Sequence, residues 1–367
     1  MDRQDAITWV WSVVVGLLPS QTNTLADLVG AALSVARVSL AEIGRRLTGT
    51  SAKHGIKRCW RFTANRRVVV SDAMRGVVRA LLKGKRWRKK PLVVALDWVE
   101  VRNFHTLVVA AVRKGRAVPL LWASYPEWHL AKSQNNLEEG LLRLLKTMLP
   151  DHVRVILLAD RGFGRTEMAR VCRQIGFDYV IRIRPDVWVK CAGFRGKLLD
   201  YPVKKGTCRT LRCVEYRKKD PVEQRVIVRW KKGLPARRDE CWFLMSNLAH
   251  SAWRLSELYA GRMTIEEFFR DQKSRRNGWA LRNTQVKSAG NFDRLLLILV
   301  LVYLLLTGLG LVARHRYRPG AWSSTNRPRE CSDFTIGQRM REIMQVPIAE
   351  LLAAVIRSLV DASPKWG

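Results

Sequence analysis

A stretch of 19 residues, from Leu295 to Ala313, carries no charged side chain and is bracketed by Arg294 and Arg314. A helix of this length could cross the apolar part of a bilayer, and length and hydropathy alone would assign it as a membrane span. It could also be a buried helix in the core of a globular protein. No other segment of similar length occurs in the chain, so both interpretations stay open and the globular one is favoured.

The balance of charge points to a polyanionic partner. The 367 residues include 66 Lys and Arg against 31 Asp and Glu, a formal net charge of +35. Such an excess destabilises the compact state unless a polyanion neutralises it, and phosphate contacts dominate the affinity of nucleic-acid complexes. An anionic membrane is the alternative. Because the basic residues are spread along the whole chain, an extended DNA track is favoured over a single lipid anchor.

Cysteine usage and the first residues favour a reducing cytosol. The seven cysteines are odd in number and include no C-x-x-C pair, and the six histidines are scattered. This argues against a zinc site and a disulfide framework. The apolar patch from Ile7 to Leu18 could belong to a signal peptide, but Asp2 and Asp5 precede it and no small-residue cleavage site follows. A first amphipathic helix ending near Pro19 is the favoured interpretation.

Residues 1 to about 70 have helical periodicity and contain a basic segment suited to DNA. Ser39 with Glu42 three residues later predicts a capping box at one helix start. The segment 51–68 interleaves Trp60 and Phe62 with cations, which fits DNA contact. We expect its aromatic rings in the core and its cations on phosphate; the alternative is a solvated basic helix. The cations are Lys53, His54, Lys57, Arg58, Arg61, Arg66 and Arg67.

From about residue 91 the pattern becomes that of an α/β fold. Closely spaced β-branched runs predict three antiparallel strands, and strands and helices then alternate. The predicted order is strands at 91–101, 105–115 and 117–127, a helix at 135–148, a strand at 153–160, a helix at 166–174 and a strand at 177–184. Residues 186–244 again alternate, which predicts a small β unit inserted in the chain.

Three carboxylates from separate elements form a candidate metal site. Asp97 and Asp160 end or nearly end apolar strands, although a lone Asp after a strand is usually a turn or N-cap residue. Downstream, four side chains are spaced by three, four and seven, which would place them on one helix face. These are Tyr259, Arg262, Glu266 and Lys273. Carboxylate oxygens suit Mg²⁺ or Mn²⁺, and the flanking cations suit a phosphate.

The sequence resembles the DDE transposases of the insertion-sequence-4 type, bacterial cut-and-paste enzymes. Their Y-x2-R-x3-E-x6-K signature is complete at the four residues of the downstream helix, and the spacing selects Glu266 over Glu267. Their first and second Asp motifs match Asp97, within LDW, and Asp160, within ADRGF. The resemblance implies an RNase H-like catalytic core, a mixed sheet with flanking helices, in which the apolar stretch from Leu295 packs on the sheet.

The resemblance also implies a domain order and a mechanism. The expected units are a helical DNA-binding domain at 1–70, the two parts of the core at 71–185 and 245–317 around a β insertion at 186–244, and a helical tail at 318–367 that could pair two protomers. Asp97 would bridge two Mg²⁺ or Mn²⁺ ions, with Asp160 and Glu266 each completing one site. Hydrolysis at the element's ends would precede strand transfer into target DNA.

Further expectations concern DNA contacts and location. Tyr259, Arg262 and Lys273 would hold the phosphate near the cut, and Lys57, Arg58 and Arg61 would contact the terminal inverted repeats. Trp242 matches the position at which the family stacks a flipped base, a core role for this ring is equally open, and Trp230 is the fallback. The partners would be double-stranded DNA and a second copy of the chain, in a bacterial cytoplasm at the nucleoid.

Two other classes of protein remain open. A DNA-binding protein without catalysis, such as a regulator or a decayed transposase, would keep the basic N-terminal helices and lack cleavage. A basic membrane-associated protein would use Leu295–Ala313 as its anchor.

Overall fold

The computed structural model describes residues 3–35, 38–101, 103–131, 133–231, 241–274, 279–281, 284–324 and 331–364. The helices in these ranges are α1 (Arg3–Val13), α2 (Pro19–Ala32), α3 (Leu40–Arg45), α4 (Ala52–Ala64), α5 (Val70–Leu82), α6 (Arg86–Lys89), α7 (Glu127–Leu130), α8 (Gln134–Met148), α9 (Thr166–Gln174), α10 (Ala252–Ala260), α11 (Thr264–Lys273), α12 (Ala289–Arg316), α13 (Asp333–Met340) and α14 (Ile348–Ala362).

The strands form one mixed sheet with the order β3-β2-β1-β4-β5-β10-β9-β8-β6-β7. They are β1 (Leu92–Val101), β2 (Phe104–Arg113), β3 (Arg116–Pro126), β4 (Val155–Ala159), β5 (Phe177–Arg182), β6 (Trp188–Cys191), β7 (Phe194–Lys197), β8 (Cys208–Tyr216), β9 (Val222–Arg229) and β10 (Trp242–Ser246).

The first half of this sheet confirms the predicted α/β order. β1, β2 and β3 pair antiparallel, whereas β1, β4 and β5 run parallel to one another. The parallel strands are connected by α8 and α9, as crossovers between parallel strands require. A large mixed sheet with flanking helices is consistent with an RNase H-like transposase core.

The strands predicted within 186–244 do not form a sheet of their own. β10 pairs antiparallel with β5, and β9, β8, β6 and β7 follow outward, so that they extend the core sheet. Residues 232–240 of this segment lie outside the described residues. The segment is therefore joined to the core by backbone hydrogen bonds. That it forms an inserted domain stays a prediction.

The N-terminal helices confirm one predicted cap and correct one boundary. The hydroxyl of Ser39 accepts a hydrogen bond of 3.0 Å from the backbone N–H of Glu42, which caps α3 as predicted. Pro19 does not end the first helix, because α1 already ends at Val13. Pro19 is instead the first residue of α2, where its missing N–H costs nothing.

The uncharged stretch from Leu295 lies in α12, at the centre of the protein. Within the described residues this is the one helix long and apolar enough to cross a membrane, and 94% of its most apolar stretch is buried inside the protein. α13 and α14 pack on it so closely that glycines are needed at the crossings. A Cβ at Gly308 would lie 2.7 Å from the carbonyl oxygen of Leu351, and one at Gly310 would meet the carbonyl of Asp333.

The segment that carries the four-residue signature is not the single continuous helix that its spacing predicts. α10 ends at Ala260, a 3₁₀ turn covers Gly261–Met263, and α11 begins at Thr264. The reason lies in the packing of the turn on the sheet. A Cβ at Gly261 would lie 3.3 Å from Val112 of β2 and 3.8 Å from Leu158 of β4, so the glycine allows the close approach.

Candidate active site

Two neighbouring parallel strands place Asp97 and Asp160 side by side. β1 and β4 pair in parallel, with Leu96 opposite Ala159. The next residue in each case is an Asp: Asp97 lies within β1, and Asp160 directly follows β4. Neighbouring strands lie roughly 4.8 Å apart, so this register makes Asp97 and Asp160 neighbours across the two strands. Asp160 also caps the following 3₁₀ turn by accepting a 2.8 Å hydrogen bond from Gly162 N–H. The turn role considered from the sequence is therefore also present.

Arg262 links the third carboxylate to the first. Its Nη2 donates a 2.5 Å hydrogen bond to Glu266 Oε1 on α11, and its Nη1 donates a 3.2 Å hydrogen bond to Asp97 Oδ2 on β1. The arginine is buried, and the third guanidinium nitrogen, Nε, has no partner among the described residues. Two carboxylates from a strand and a helix thus share one buried cation.

The pKa of Asp97 reflects burial and the negative charges of its neighbours. Burial raises the pKa of Asp97 to about 6, Arg262 opposes that rise, and the charges of Asp160 and Glu266 add to it. A 2.9 Å hydrogen bond from the backbone N–H of Trp98 also favours the ionised form. The negative charges of Asp160 and Glu266 therefore both act on Asp97. A further cation would reduce the repulsion among the three carboxylates.

The chemical type of these ligands, carboxylate oxygens, suits a hard divalent cation. Three carboxylates on rigid elements are the oxygen ligands that Mg²⁺ and Mn²⁺ prefer, and their mutual repulsion favours a bound cation. In the parts of the chain that the structure describes, however, no group of three or more His, Cys, Asp or Glu side chains is gathered closely enough to hold a metal ion. Arg262, rather than ligand geometry, connects Asp97 with Glu266.

Tyr259 and Trp242 form an aromatic pair beside the three acids. Tyr259 is buried on α10 and its ring meets Trp242 of β10 edge to face, at 5.3 Å between centroids and 79° between planes. Trp242 is half-buried, and the Lys231 ammonium lies 5.2 Å from its ring centroid. Trp230, the fallback position for base stacking, is buried in the core. The accessible ring is therefore that of Trp242.

Lys273 lies at the other end of α11 from Arg262. It is half-buried and lines a small apolar cavity with Val99 and Val101 of β1 and with Phe269. The structure thus groups Tyr259, Arg262 and Glu266 next to Asp97, and it places Lys273 almost two helical turns from Glu266 along the axis.

The basic N-terminal helix α4 has a different buried face from the one expected. Trp60 is 46% exposed, so the prediction that it lies in the core is wrong, whereas Phe62 is buried as predicted. Cys59 and Phe62 occupy the buried stripe of the helix and Trp60 falls beside it. Lys57 and Arg61 are exposed, while Arg58 is half-buried and pairs with Asp27 at 2.7 Å.

A buried network that the sequence did not reveal holds the two aspartate-bearing segments together. Glu138 of α8 accepts a 2.8 Å hydrogen bond from Trp98 Nε1, directly after Asp97, and it also pairs with Arg165, in the loop after Asp160. Both Glu138 and Arg165 are buried. No short-range pattern could have found this network, because its members are 27 and 40 residues apart along the chain.

A second exposed tryptophan near the site was also missed. Trp253 of α10 is 59% exposed, and the Arg229 guanidinium lies 4.5 Å from its ring centroid. The same guanidinium is 5.9 Å from the ring of Trp242. Arg229 therefore connects two accessible indoles on one side of the aromatic pair.

Comparison with known families agrees with this geometry. Residues 129–305, just under half of the chain, match the family described as the transposase DDE domain. The matched segment contains Asp160 and Glu266, whereas Asp97 lies before it. No curated protein matches the chain. The family match supports placing this chain among the DDE transposases and, with that, a transposase function.

Proposed function

We propose that the chain is a cut-and-paste transposase of the insertion-sequence-4 type, which cleaves DNA at the ends of its element and joins those ends to target DNA. The observation that carries the proposal is that Arg262 and the β1–β4 pairing connect three carboxylates on separate elements. Asp97 lies within β1, Asp160 directly follows the adjacent parallel strand β4, and Arg262 bonds both Asp97 and Glu266. The family match over residues 129–305 supports the same chemistry.

The three carboxylates are the proposed holders of two Mg²⁺ or Mn²⁺ ions. Asp97, Asp160 and Glu266 would hold the ions through their carboxylate oxygens. Bound ions of this kind lower the pKa of a coordinated water and polarise the phosphodiester. The rigid β1–β4 register and the buried contact of Glu138 with Trp98 keep Asp97 and Asp160 in place for this task.

The cations and the aromatic pair are the proposed DNA contacts at the cut. Tyr259, Arg262 and Lys273 would hold the phosphate, and the planar guanidinium of Arg262 suits a bidentate contact. Because Arg262 is engaged by Asp97 and Glu266, a phosphate must compete with those carboxylates. Trp242 would stack on a flipped base, a contact worth about 1–3 kcal/mol per base.

The remaining assignments rest on the resemblance to the insertion-sequence-4 transposases. The helices within residues 1–70 would bind the terminal inverted repeats, with the exposed Lys57 and Arg61 on phosphates and Arg58 held partly by Asp27. The segments 71–185 and 245–317 would form the core, 186–244 the insertion, and 318–367 the tail. Two copies would pair at synapsis, in the bacterial cytoplasm at the nucleoid.

The deciding experiment is cleavage of a labelled duplex that carries the element's own end, with Mg²⁺ or with EDTA. Glu266→Gln and Glu267→Gln are matched variants of adjacent glutamates. Glu267 pairs instead with Arg116 at 3.3 Å and Arg270 at 2.8 Å. We expect metal-dependent nicking by the wild type and by Glu267→Gln, and none by Glu266→Gln. Equal activity of both variants would remove Glu266 from the site.

The same experiment separates the alternative functions. A wild-type protein that binds the element's end and never cuts it would be a DNA-binding protein without catalysis. Recovery in a salt-resistant membrane pellet, with no DNA binding, would instead favour a membrane-associated protein. The burial of α12 inside the protein supports recovery in the soluble fraction.

A further inference from the structure

A basic cleft begins beside Asp160 and contains none of the proposed DNA contacts. Three adjoining clefts, of about 620, 320 and 310 Å³, lie along the loop after Asp160, residues 184–188 after β5 and the turn between β8 and β9. Arg184 lines all three, so they form one continuous surface depression. We define the basic cleft by its exposed cations, which are Arg161, Arg184, Arg217, Lys218 and Lys219.

The cations of the basic cleft are poorly neutralised by the protein itself. In the described ranges, no ion pair joins any of the five to a carboxylate. The acids that line the cleft are Glu167, Asp186 and Asp220, and Asp220 is already engaged by Arg170. The usual explanation of exposed cations is a solvated surface. Cations converging on one depression from several chain segments instead repel one another, which an anionic ligand would relieve.

The far wall of the cleft is fixed to the core rather than free in solvent. The hydroxyl of Tyr216, the last residue of β8, donates a buried 2.7 Å hydrogen bond to the carbonyl of Gly164, in the loop after Asp160. Arg170 of α9 donates a 2.6 Å hydrogen bond to Asp220 in the hairpin turn, and Arg173 donates one of 2.7 Å to the carbonyl of Glu223. The turn with Lys218 and Lys219 is therefore held against α9 and the loop after Asp160.

We propose that the basic cleft binds the sugar-phosphate backbone of a DNA segment that extends past the cleavage centre on the Asp160 side. Arginine and lysine are the side chains that position a phosphate backbone, and Arg161 directly follows the catalytic candidate Asp160. This inference rests on the proposed function and adds a binding surface to it. The segment is either DNA flanking the element or a separate target duplex, since both present the same phosphates.

The test is DNA binding in EDTA, so that no cleavage takes part. Fluorescence anisotropy over a salt series would compare the wild type with Lys218→Glu/Lys219→Glu and, as a second variant, Arg184→Glu. The matched control is Arg88→Glu/Lys89→Glu, an exposed adjacent pair in α6, just before β1. Both double variants remove the same charge, and all substituted side chains are exposed, so folding is preserved.

The expected result is specific to the cleft. Losing two phosphate contacts should lower the slope of log affinity against log salt by about 2 and weaken binding roughly 10-fold or more at low salt. The control should keep the wild-type slope. An unchanged slope in both cleft variants, or an equal loss in the control, would overturn the inference.

The duplexes used identify the source of the phosphates. If the cleft variants lose affinity only for element-end DNA that carries flanking sequence, the cleft binds the flanking DNA. If they also lose affinity for an unrelated duplex, the cleft binds target DNA. The proposed function is judged separately, by Mg²⁺-dependent cleavage by the wild type. If the wild type cuts DNA and the cleft variants keep the wild-type salt slope, the proposed function stands and the cleft proposal fails. If the wild type does not cut DNA and the cleft variants have a lower slope, the cleft proposal stands and the proposed function fails.

Discussion

Arg262 donates a 3.2 Å hydrogen bond to Asp97, across 165 residues of sequence, and thereby ties the helical signature to the first strand of the sheet. The same guanidinium bonds Glu266 at 2.5 Å, so that one buried cation balances two of the three carboxylates. The contact gives the site an internal positive charge.

Replacing Arg262 by Gln should destabilise the protein and make it more responsive to divalent cations. Two carboxylates lose their shared cation, and because Glu266 is partly exposed we expect a loss of about 1–3 kcal/mol, below the range for fully buried pairs. The measurement is urea unfolding in EDTA and then with Mg²⁺, which should stabilise the variant more than the wild type. Arg270→Gln, whose side chain is 74% exposed, is the control, and an equal loss there would contradict the assignment.

The sequence predicted local elements well because their signals are local. The apolar runs that lead to Asp97 and Asp160 are strands, and the four-residue spacing of Arg262 and Glu266 brings these two side chains within hydrogen-bond distance. The contact of Arg262 with Asp97 and the β1–β4 register depend on pairing between distant segments, which periodicity does not encode. The joining of β10 to β5 is of the same kind.

Packing overturned two of the wrong local predictions. Trp60 was expected inside because it is aromatic, but the buried positions of α4, Gly55, Cys59 and Phe62, follow helical spacing that leaves Trp60 out. The single signature helix is interrupted because Gly261 brings a 3₁₀ turn against the sheet. In both cases packing, rather than residue type, decided the outcome.

Adding a methyl group at Gly55 should destabilise the N-terminal helices. A Cβ there would lie 2.2 Å from the carbonyl oxygen of Gly44, so α3 and α4 would have to separate. We expect Gly55→Ala to cost about 1–3 kcal/mol, as overpacking usually does. Gly140→Ala in α8 is the control, because nothing lies within 4 Å of its Cβ and it should gain about 0.5–1 kcal/mol. Thermal unfolding of both variants checks the contact, and a loss in both would disprove it.

Removing Asp333 should cost far more than removing a surface carboxylate. Asp333 bonds Arg113, which is 2% exposed, and Arg314 at the end of α12. Burial alone would raise the pKa of Asp333, but the two arginines outweigh it and hold that pKa below its usual value.

Asp333→Ala leaves a buried guanidinium unpaired, so we expect a loss of about 3–5 kcal/mol. Glu350→Ala, which breaks an exposed pair with Arg316, should cost no more than about 1 kcal/mol. Urea unfolding at neutral pH measures both, and similar costs would show that the network contributes little. Because the folded pKa of Asp333 is depressed, its stabilisation should be lost as the pH falls through that pKa.

Asp293, near the start of α12, should make the protein less stable as the pH rises towards neutrality. Burial raises the pKa of Asp293 to about 7, and a 3.1 Å hydrogen bond from the backbone N–H of Ser124 offsets only part of that effect. In the unfolded chain an Asp has a pKa of about 3.9. Between these two values the folded state binds one more proton than the unfolded state, so stability falls with a slope of up to about 1.4 kcal/mol per pH unit.

Asp293→Asn removes this titration and isolates it from every other group. Relative to the wild type, the variant should gain stability as the pH is raised from 5 to 7, and the difference should level off above about pH 7. Urea unfolding across this range gives the difference directly, and Asp151→Asn, at an exposed turn, controls for the loss of a negative charge. A difference between Asp293→Asn and the wild type that does not change with pH would show that Asp293 is ionised in the folded protein throughout. The anchoring of α12 at Ser124 would then involve a buried charge rather than a neutral carboxyl group.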